Sequence, residues 1–437
     1  MKKDKLTAYI HTWGCQMNVH DSEKIKGILK GEGYDISDTP DGASLVVLNT
    51  CSIREKAEQK FLSHLGKLSI QKKKQPELKI AVSGCIAQQQ GKKLLKSHPS
   101  VDFSFGPQNI FNLKEFLYDE KRTAFTQEKD ENTDIYQMQL PTHRDNDLRA
   151  WVNIMYGCNN YCSYCVVPYT RGRERSRPYG HIISEVKELA RRGYKEITLL
   201  GQNVNSYNGN CTFAELLTMI SEIEGIFRIR FITSHPKDLN EELAVTMGKT
   251  QKICNHIHLP LQSGSTGVLS LMNRNYTYEQ YYNKIQLLRK HVPDIAITTD
   301  LIAGFPGETD NDHKETVRAL KEIEFDGIFA FKYSPRPDTR AATMENQLDD
   351  SVKSQRLAEI LSIADEITER KNKTLQGKRI EVLVEGKSET NAERWFGRAA
   401  SNKIVNFSPD ENTKRGMAVI VRITEGFKHS LDGELVV

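Results

Sequence analysis

Cys158, Cys162 and Cys165 stand in the run Gly-Cys-Asn-Asn-Tyr-Cys-Ser-Tyr-Cys, a Cys-x3-Cys-x2-Cys spacing that supplies three thiolates. A [4Fe–4S] cluster has four irons and is usually held by four cysteines. A loop that offers three leaves one iron open to another ligand. The competing reading is a structural zinc loop, but zinc sites prefer two pairs of ligands closed into a tetrahedron. No fourth cysteine lies close by in the sequence. Five cysteines remain. Cys15, Cys51 and Cys85 follow apolar runs, whereas Cys211 and Cys254 show no partner spacing and read as structural.

The elements that position these cysteines are legible as alternating strands and helices. Residues 6–12, 45–48 and 79–82 read as strands, and Cys15, Cys51 and Cys85 each fall just past the carboxyl end of one. Strand–helix alternation argues a parallel sheet. In an open parallel sheet those ends share one edge, where ligands bind. Three buried free cysteines, acting as small hydrophobes, are the alternative. Residues 119–147 turn polar and aperiodic and read as a linker. Beyond it, strand candidates at 151–155, 196–200, 229–233, 256–259, 295–302 and 327–332 suggest six βα units in a partial barrel. Thr277 and Gln280 form a capping-box pattern for one of its helices. A long amphipathic helix over 349–375 ends at Gly377. Short strands then follow at 380–384, 395–399, 404–407, 417–423 and 433–437, as in a small all-β barrel.

The 437 residues are enough for about three domains. With 27% charged and 38% hydrophobic residues the chain is of ordinary globular composition. No 18-residue apolar run implies a membrane span. The basic amino terminus lacks the apolar core of a signal peptide, so a cytoplasmic location is expected. The net charge of +4 permits an anionic partner without demanding one.

The 158–165 spacing resembles that of the radical S-adenosylmethionine (SAM) enzymes. In that superfamily the amino and carboxylate groups of SAM chelate the open iron, and the cluster donates the electron that cleaves SAM to methionine and a 5′-deoxyadenosyl radical. The resemblance sharpens elsewhere. Thr12-Trp13-Gly14-Cys15-Gln16-Met17-Asn18, Asn49-Thr50-Cys51 and Ser83-Gly84-Cys85 resemble the amino-terminal domain of the methylthiotransferases. Val166-Val167-Pro168-Tyr169-Thr170-Arg171-Gly172 is similar to the tRNA-2-methylthio-N6-dimethylallyladenosine synthase branch. The carboxyl-terminal barrel resembles the family's RNA-binding TRAM domain. The usual Glu before Gly157 is Tyr156 here, at a position that is not a cluster ligand.

This resemblance implies an α/β chain. Residues 1–120 would form the methylthiotransferase domain, 121–147 a linker, 148–377 the radical-SAM core as a partial (β/α)6 barrel, and 378–437 the TRAM barrel. It implies a second [4Fe–4S] cluster on Cys15, Cys51 and Cys85, and two uses of SAM. One methylates a sulfur held at that cluster; the other opens carbon 2 of the adenine to attack. Gln202, Asn203, Ser234, Gln262, Arg274 and Asp300 are candidate SAM contacts, with His235 the weakest of the set and Tyr164 placed to cover the adenine. Arg171, Arg173, Arg175 and Arg177 suit either phosphate contact or domain docking. Trp395 and Phe396 lie among basic residues of the terminal barrel, where RNA-binding barrels use aromatic stacking. The expected partners are a tRNA with isopentenyl-adenosine at position 37, an electron donor and a sulfur source, with no membrane. Rival expectations are methylthiolation of threonylcarbamoyl-adenosine in tRNA, methylthiolation of a ribosomal-protein aspartate, or a non-catalytic iron–sulfur tRNA-binding protein.

Overall fold

The structure, a computed structural model, describes residues 6–51, 55–119, 121–126, 140–389, 391 and 393–436, without the side chains of 55–57. The chain divides into two compact units. One comprises Met1–Asp145, Met155–Arg177 and Arg336–Thr339; the other comprises Asn146–Ile154, Pro178–Pro335 and Arg340–Val437.

The first unit is built on a six-stranded parallel sheet of β1 (Thr7–Thr12), β2 (Asp35–Ser37), β3 (Leu45–Thr50), β4 (Lys79–Gly84), β5 (Phe103–Phe105) and β6 (Thr123–Phe125). Its order is β2-β1-β3-β4-β5-β6. β3 is apolar on both faces and fully buried, as a central parallel strand covered by helices must be. Helices α1 (Gln16–Gly31), α2 (Glu55–Lys74) and α3 (Cys85–Ser97) follow β1, β3 and β4. β6 lies past residue 120, inside the segment expected to be a linker. Residues 140–145 pack on α1, where Lys26 pairs with Asp145 at 2.7 Å and the His143 amide donates to the Glu23 carbonyl. The remainder of that expectation, 127–139, lies outside the described residues.

The second unit carries six parallel strands in chain order: β7 (Arg149–Asn153), β8 (Glu196–Leu200), β9 (Arg228–Phe231), β10 (His256–His258), β11 (Ala296–Ala303) and β12 (Gly327–Lys332). They form two three-stranded sheets, linked by a parallel bridge from Ile229 to Ile253 just ahead of β10. The Thr277–Gln280 capping box is present, both side chains bonding the backbone of the other's end. Gly193 closes the helix Tyr179–Arg191 with φ at +90°. The helix Asp350–Lys373 packs on the outer face of β12.

β13 (Arg379–Lys387), β14 (Trp395–Ala399), β15 (Ile404–Ser408), β16 (Ala418–Gly426) and β17 (Ser430–Leu435) close a barrel in the order β13-β14-β15-β17-β16. It seats against the starting ends of the parallel strands. Arg230 of β9 donates to the Ala399 and Ala400 carbonyls and pairs with Glu196 at 3.0 Å. Arg149 pairs with Glu385 at 3.2 Å, and Lys403 with Asp326 at 3.4 Å.

Candidate iron–sulfur centres and cofactor-facing residues

β1, β3 and β4 are neighbours in the sheet, and all three run into a cysteine. The register sets Thr12 beside Asn49 and Thr50 beside Gly84. Neighbouring strands lie about 4.8 Å apart, so the three cysteines share one edge. Cys15 caps α1, Cys51 directly follows β3 and Cys85 opens α3. The cysteines thus sit at strand–helix junctions rather than in free turns. The helix N-termini at Cys15 and Cys85 present partial positive charge, which favours thiolates and an anionic cluster.

The two glycines of the motifs answer to the neighbouring chain. A Cβ on Gly14, at φ +139°, would come within 2.7 Å of the Cys51 Cβ, and one on Gly84, at φ +93°, within 2.2 Å of the Thr50 carbonyl oxygen. Only glycine lets the three junctions close up this tightly. Asn18 and Asn49, both fully buried, lock the arrangement. Asn18 Nδ2 donates to Asn49 Oδ1 and to the Thr50 carbonyl, each at 3.2 Å. Asn49 Nδ2 donates to the Asn18 carbonyl and to Ser22 Oγ, and Cys15 Sγ lies 3.4 Å from Asn18 Oδ1. Sequence reasoning quoted both asparagines without giving them this role. The available signal was an amide at the end of a wholly apolar strand.

The second trio belongs to the same compact unit. Its loop is closed at the base by a short antiparallel pair, Met155–Tyr156 with Arg175–Ser176. The Cys158 amide donates to the Gly172 carbonyl at 3.2 Å and the Cys165 amide to the Cys162 carbonyl at 2.9 Å. Cys158 and Cys162 are buried and Cys165 half-buried, as is Tyr164. α1 holds this loop through two polar contacts. Arg171 Nη2 pairs with Asp21 at 2.9 Å, both side chains buried. Lys24 Nζ donates to the Tyr156 hydroxyl at 3.1 Å and lies 5.3 Å from the ring centroid. Burial works against the charge on Arg171, but Asp21, with Cys85 and Cys15 nearby, favours it.

Arg171, enclosed on Asp21, docks the loop on α1, in line with the docking alternative of the two that its sequence left open. Arg177 is buried as well, Arg175 half-buried and Arg173 exposed. Cys211 and Cys254 both have thiols pushed up by burial, Cys254 to about 11, which suits inert protonated side chains. Among the described residues no three His, Cys, Asp or Glu side chains close on a single ion.

In the second unit, the loops after β8 and β9 carry Gln202, Asn203, Ser234 and His235. Both amide atoms of Gln202, Asn203 Oδ1, Ser234 Oγ and His235 Nε2 are buried without a hydrogen-bond partner among the described residues. Orphaned buried polar atoms are rare. Four neighbouring residues carrying them fit a polar ligand such as SAM. Asn203 Nδ2 is held by Asp238 at 2.7 Å, and burial pushes the His235 imidazole down to about 2, leaving it neutral. Gln262 adopts φ +71° and bridges to β11, its amide donating to the Asp300 carbonyl. Arg274 is buried and donates to the Pro260 carbonyl at 3.0 Å and the Tyr276 hydroxyl at 2.9 Å. Asp300 is the last of the candidate SAM contacts. It lies in mid-β11, paired with His258 Nε2 at 3.3 Å.

In the terminal barrel Trp395 packs half-buried on the core, and Phe396 is also half-buried. Arg394 pairs with Asp432, and Arg398 with Glu385 at 3.0 Å. Arg379 and Arg422 stand exposed and opposite each other on β13 and β16.

Comparison with known proteins converges on the same three parts. Residues 7–106 match the Uncharacterized protein family UPF0004, residues 152–320 the Radical SAM superfamily and residues 373–436 the TRAM domain. A tRNA-2-methylthio-N(6)-dimethylallyladenosine synthase of Thermodesulfovibrio yellowstonii is 54% identical over 430 residues, covering 98% of both chains. One of Clostridium novyi is 47% identical over 436 residues, 98% of this chain and 96% of the relative. Among solved structures, the radical S-adenosylmethionine methyltransferase TsrM from Kitasatospora setae, with tryptophan and a SAM analogue bound, superposes with a TM-score of 0.59. It is 14% identical and aligns over 78% of this chain and 75% of its own. The cobalamin-dependent radical enzyme OxsB gives 0.54 over 82% of this chain and 56% of its own, also at 14% identity. At that identity the likeness is one of fold.

Proposed function

Because this chain belongs to the family of tRNA-2-methylthio-N(6)-dimethylallyladenosine synthases, we propose that it methylthiolates carbon 2 of N6-isopentenyladenosine at tRNA position 37. The product is 2-methylthio-N6-isopentenyladenosine. The observation that carries this reading is the ending of β1, β3 and β4 side by side in Cys15, Cys51 and Cys85, in the same compact unit as the Cys158–Cys162–Cys165 loop. Two three-thiolate sets fit two [4Fe–4S] clusters, each with one iron left for a non-protein ligand. When bound, the clusters and SAM supply the electron, the hydrogen abstraction from an unactivated carbon and the sulfur that no side chain can provide.

The chain's own residues hold and orient. Asn18 and Asn49 fix the three junctions of the auxiliary site. Arg171 and Lys24 dock the second cysteine loop on α1. Gln202, Asn203 and Ser234 offer unpaired polar atoms to SAM. His235 accepts from the Lys237 amide through Nδ1, so its proton resides on Nε2, a buried donor without a hydrogen-bond partner among the described residues. Arg274, bonded to Pro260 and Tyr276, positions the turn after β10, and we assign it to the methionine carboxylate. The terminal barrel binds the tRNA away from the chemistry, since it seats at the strand starts while the SAM candidates cluster at or toward the opposite ends. An electron donor and a sulfur source come from outside the chain. Among the described residues no helix is long and apolar enough to cross a membrane, and we place the enzyme with its tRNA in the cytoplasm.

The test is reconstitution of the full chain with iron and sulfide, SAM, a reductant and a tRNA bearing isopentenyl-adenosine. Methylthiolated nucleoside and 5′-deoxyadenosine are both expected by mass spectrometry. A non-catalytic carrier would produce neither, and a threonylcarbamoyl-directed enzyme would leave this tRNA unmodified.

A further inference from the structure

The sheet β10-β11-β12 has two different faces. Ile297, Leu301 and Ala303 of β11 are buried on one of them. On β12, Lys332 points to that same outer side, bonding Asp350 at 2.8 Å at the start of the covering helix. Side chains alternate along a strand, so Phe329 and Phe331 occupy the other face. The register confirms it, pairing Phe329 with Asp300 and Phe331 with Ile302. This is the concave face of the partial barrel. It also carries His258 and Thr298, joined by a hydrogen bond of 3.0 Å, and the His258–Asp300 pair.

The interior of a complete (β/α)8 barrel is filled by side chains. Among the described residues it is not filled here: Phe329 is 53% and Phe331 42% exposed. Two adjacent aromatic side chains left open on a concave face mark a surface shaped for an apolar or aromatic ligand. The His258 ring stands edge-on to Phe329, centroids 5.9 Å apart, and is held by Thr298 and Asp300, so the Phe329 ring has a fixed neighbour.

We infer that Phe329 and Phe331 form the platform that receives the prenylated base and select the isopentenyl-bearing adenine. The inference rests on the proposed reaction and adds its specificity determinant. The substrate group has two parts: a planar base, which stacks on aromatic rings, and a branched five-carbon tail with no polar atom. Both suit a pair of phenylalanines. A threonylcarbamoyl group instead carries a carboxylate. On this face it would meet the Asp300 carboxylate, and like charges brought together discriminate against the wrong partner.

The experiment uses the reconstituted full-length enzyme and two anticodon stem-loop RNAs, one with isopentenyl-adenosine at the target position and one with plain adenosine. Wild type, Phe329→Ala, Phe331→Ala and the conservative Phe329→Leu are compared for RNA affinity, KM and SAM affinity. Both phenylalanines are exposed, so truncation does not empty a core. Phe329→Ala is expected to weaken the prenylated RNA about tenfold or more. Plain RNA should lose much less, so that the preference collapses. Phe329→Leu should retain part of the preference through the tail. An undiminished preference in both alanine variants would overturn the inference, as would a loss of SAM affinity by the same factor, which would give the face to SAM. If wild-type enzyme methylthiolates neither RNA, the reaction assignment fails; the affinity ratio still tests the platform by itself.

Discussion

Replacing Arg171 by Ala removes one half of a buried ion pair and leaves Asp21, 3% exposed, with a carboxylate that has lost its charge partner at 2.9 Å. Breaking such a pair from one side costs about 3–5 kcal/mol, more than the net worth of the pair itself. The cost falls on the docking of the 155–177 loop against α1. With about 1.4 kcal/mol per tenfold, the population in which the loop is open should rise roughly a hundredfold to a few thousandfold. Hydrogen exchange reads that population locally, which suits a chain of several domains without a single unfolding free energy. The informative amides are those of Cys158, Cys165, Tyr169 and Thr170, all bonded within the loop. Their exchange should accelerate by that factor in Arg171→Ala, while the amides of β11 and β12 keep theirs. The double variant Asp21→Asn with Arg171→Gln should be closer to wild type than Arg171→Ala, because it strands no charge. If exchange at the four amides changes less than about threefold, the pair contributes little and the docking described here is wrong.

Three further expectations follow from the same geometry. Changing Cys158, Cys162 and Cys165 to Ala should leave about half the iron, as two independent clusters require, and abolish 5′-deoxyadenosine formation; the Cys15, Cys51, Cys85 variant should also hold half the iron but still cleave SAM, and iron analysis with nucleoside quantification checks both. Burial, with Arg230 beside it, pushes the His256 imidazole down to about 3, so the ring is neutral in the fold and its contribution is complete above the unfolded value near 6.5. As pH falls below that value the unfolded chain takes up the proton first, and about 1.4 kcal/mol is lost by pH 5.5; thermal midpoints at pH 7.5 and 5.5 should show a smaller gap in His256→Gln. Arg379 faces Arg422 across the barrel surface, and Glu434, 2.8 Å from Arg422, offsets part of their repulsion, so an outside phosphate would complete the balance. Arg379→Ala should weaken tRNA binding and reduce its salt slope by about one, the value for one lost phosphate contact; an unchanged slope would move the RNA contact off this surface.

Much of this architecture is legible in local pattern. The apolar runs before Cys15, Cys51 and Cys85 mark parallel strands, and strand adjacency then brings the cysteines to one edge. The Thr277–Gln280 box and Gly193 announce helix ends because capping is a property of a few adjacent residues. What escaped is non-local. The Asp21–Arg171 contact joins residues 150 positions apart, and nothing in either neighbourhood signals it. For the same reason the second cysteine loop groups with the amino-terminal sheet, although it follows the first barrel strand in the chain. β6 is a short, half-buried strand among charged residues and carries no alternation to read. In β12 the run Gly-Ile-Phe-Ala-Phe is apolar up to Lys332, so the difference between its covered and open faces becomes visible only through register. A truncation after Gly377 removes the whole terminal barrel. Arg230, Arg149 and Asp326 all lean on that barrel, so point changes on its exposed face are the better probe.

The most direct measurement is mass spectrometry of total tRNA nucleosides from a strain lacking this gene, complemented with the wild-type chain or with Cys158→Ala. Without the gene, 2-methylthio-N6-isopentenyladenosine should vanish and N6-isopentenyladenosine should accumulate; the wild-type chain should restore the methylthio product and Cys158→Ala should not. Undiminished 2-methylthio-N6-isopentenyladenosine in the deletion strain, with loss of the methylthio group from threonylcarbamoyl-adenosine instead, would contradict the proposed function.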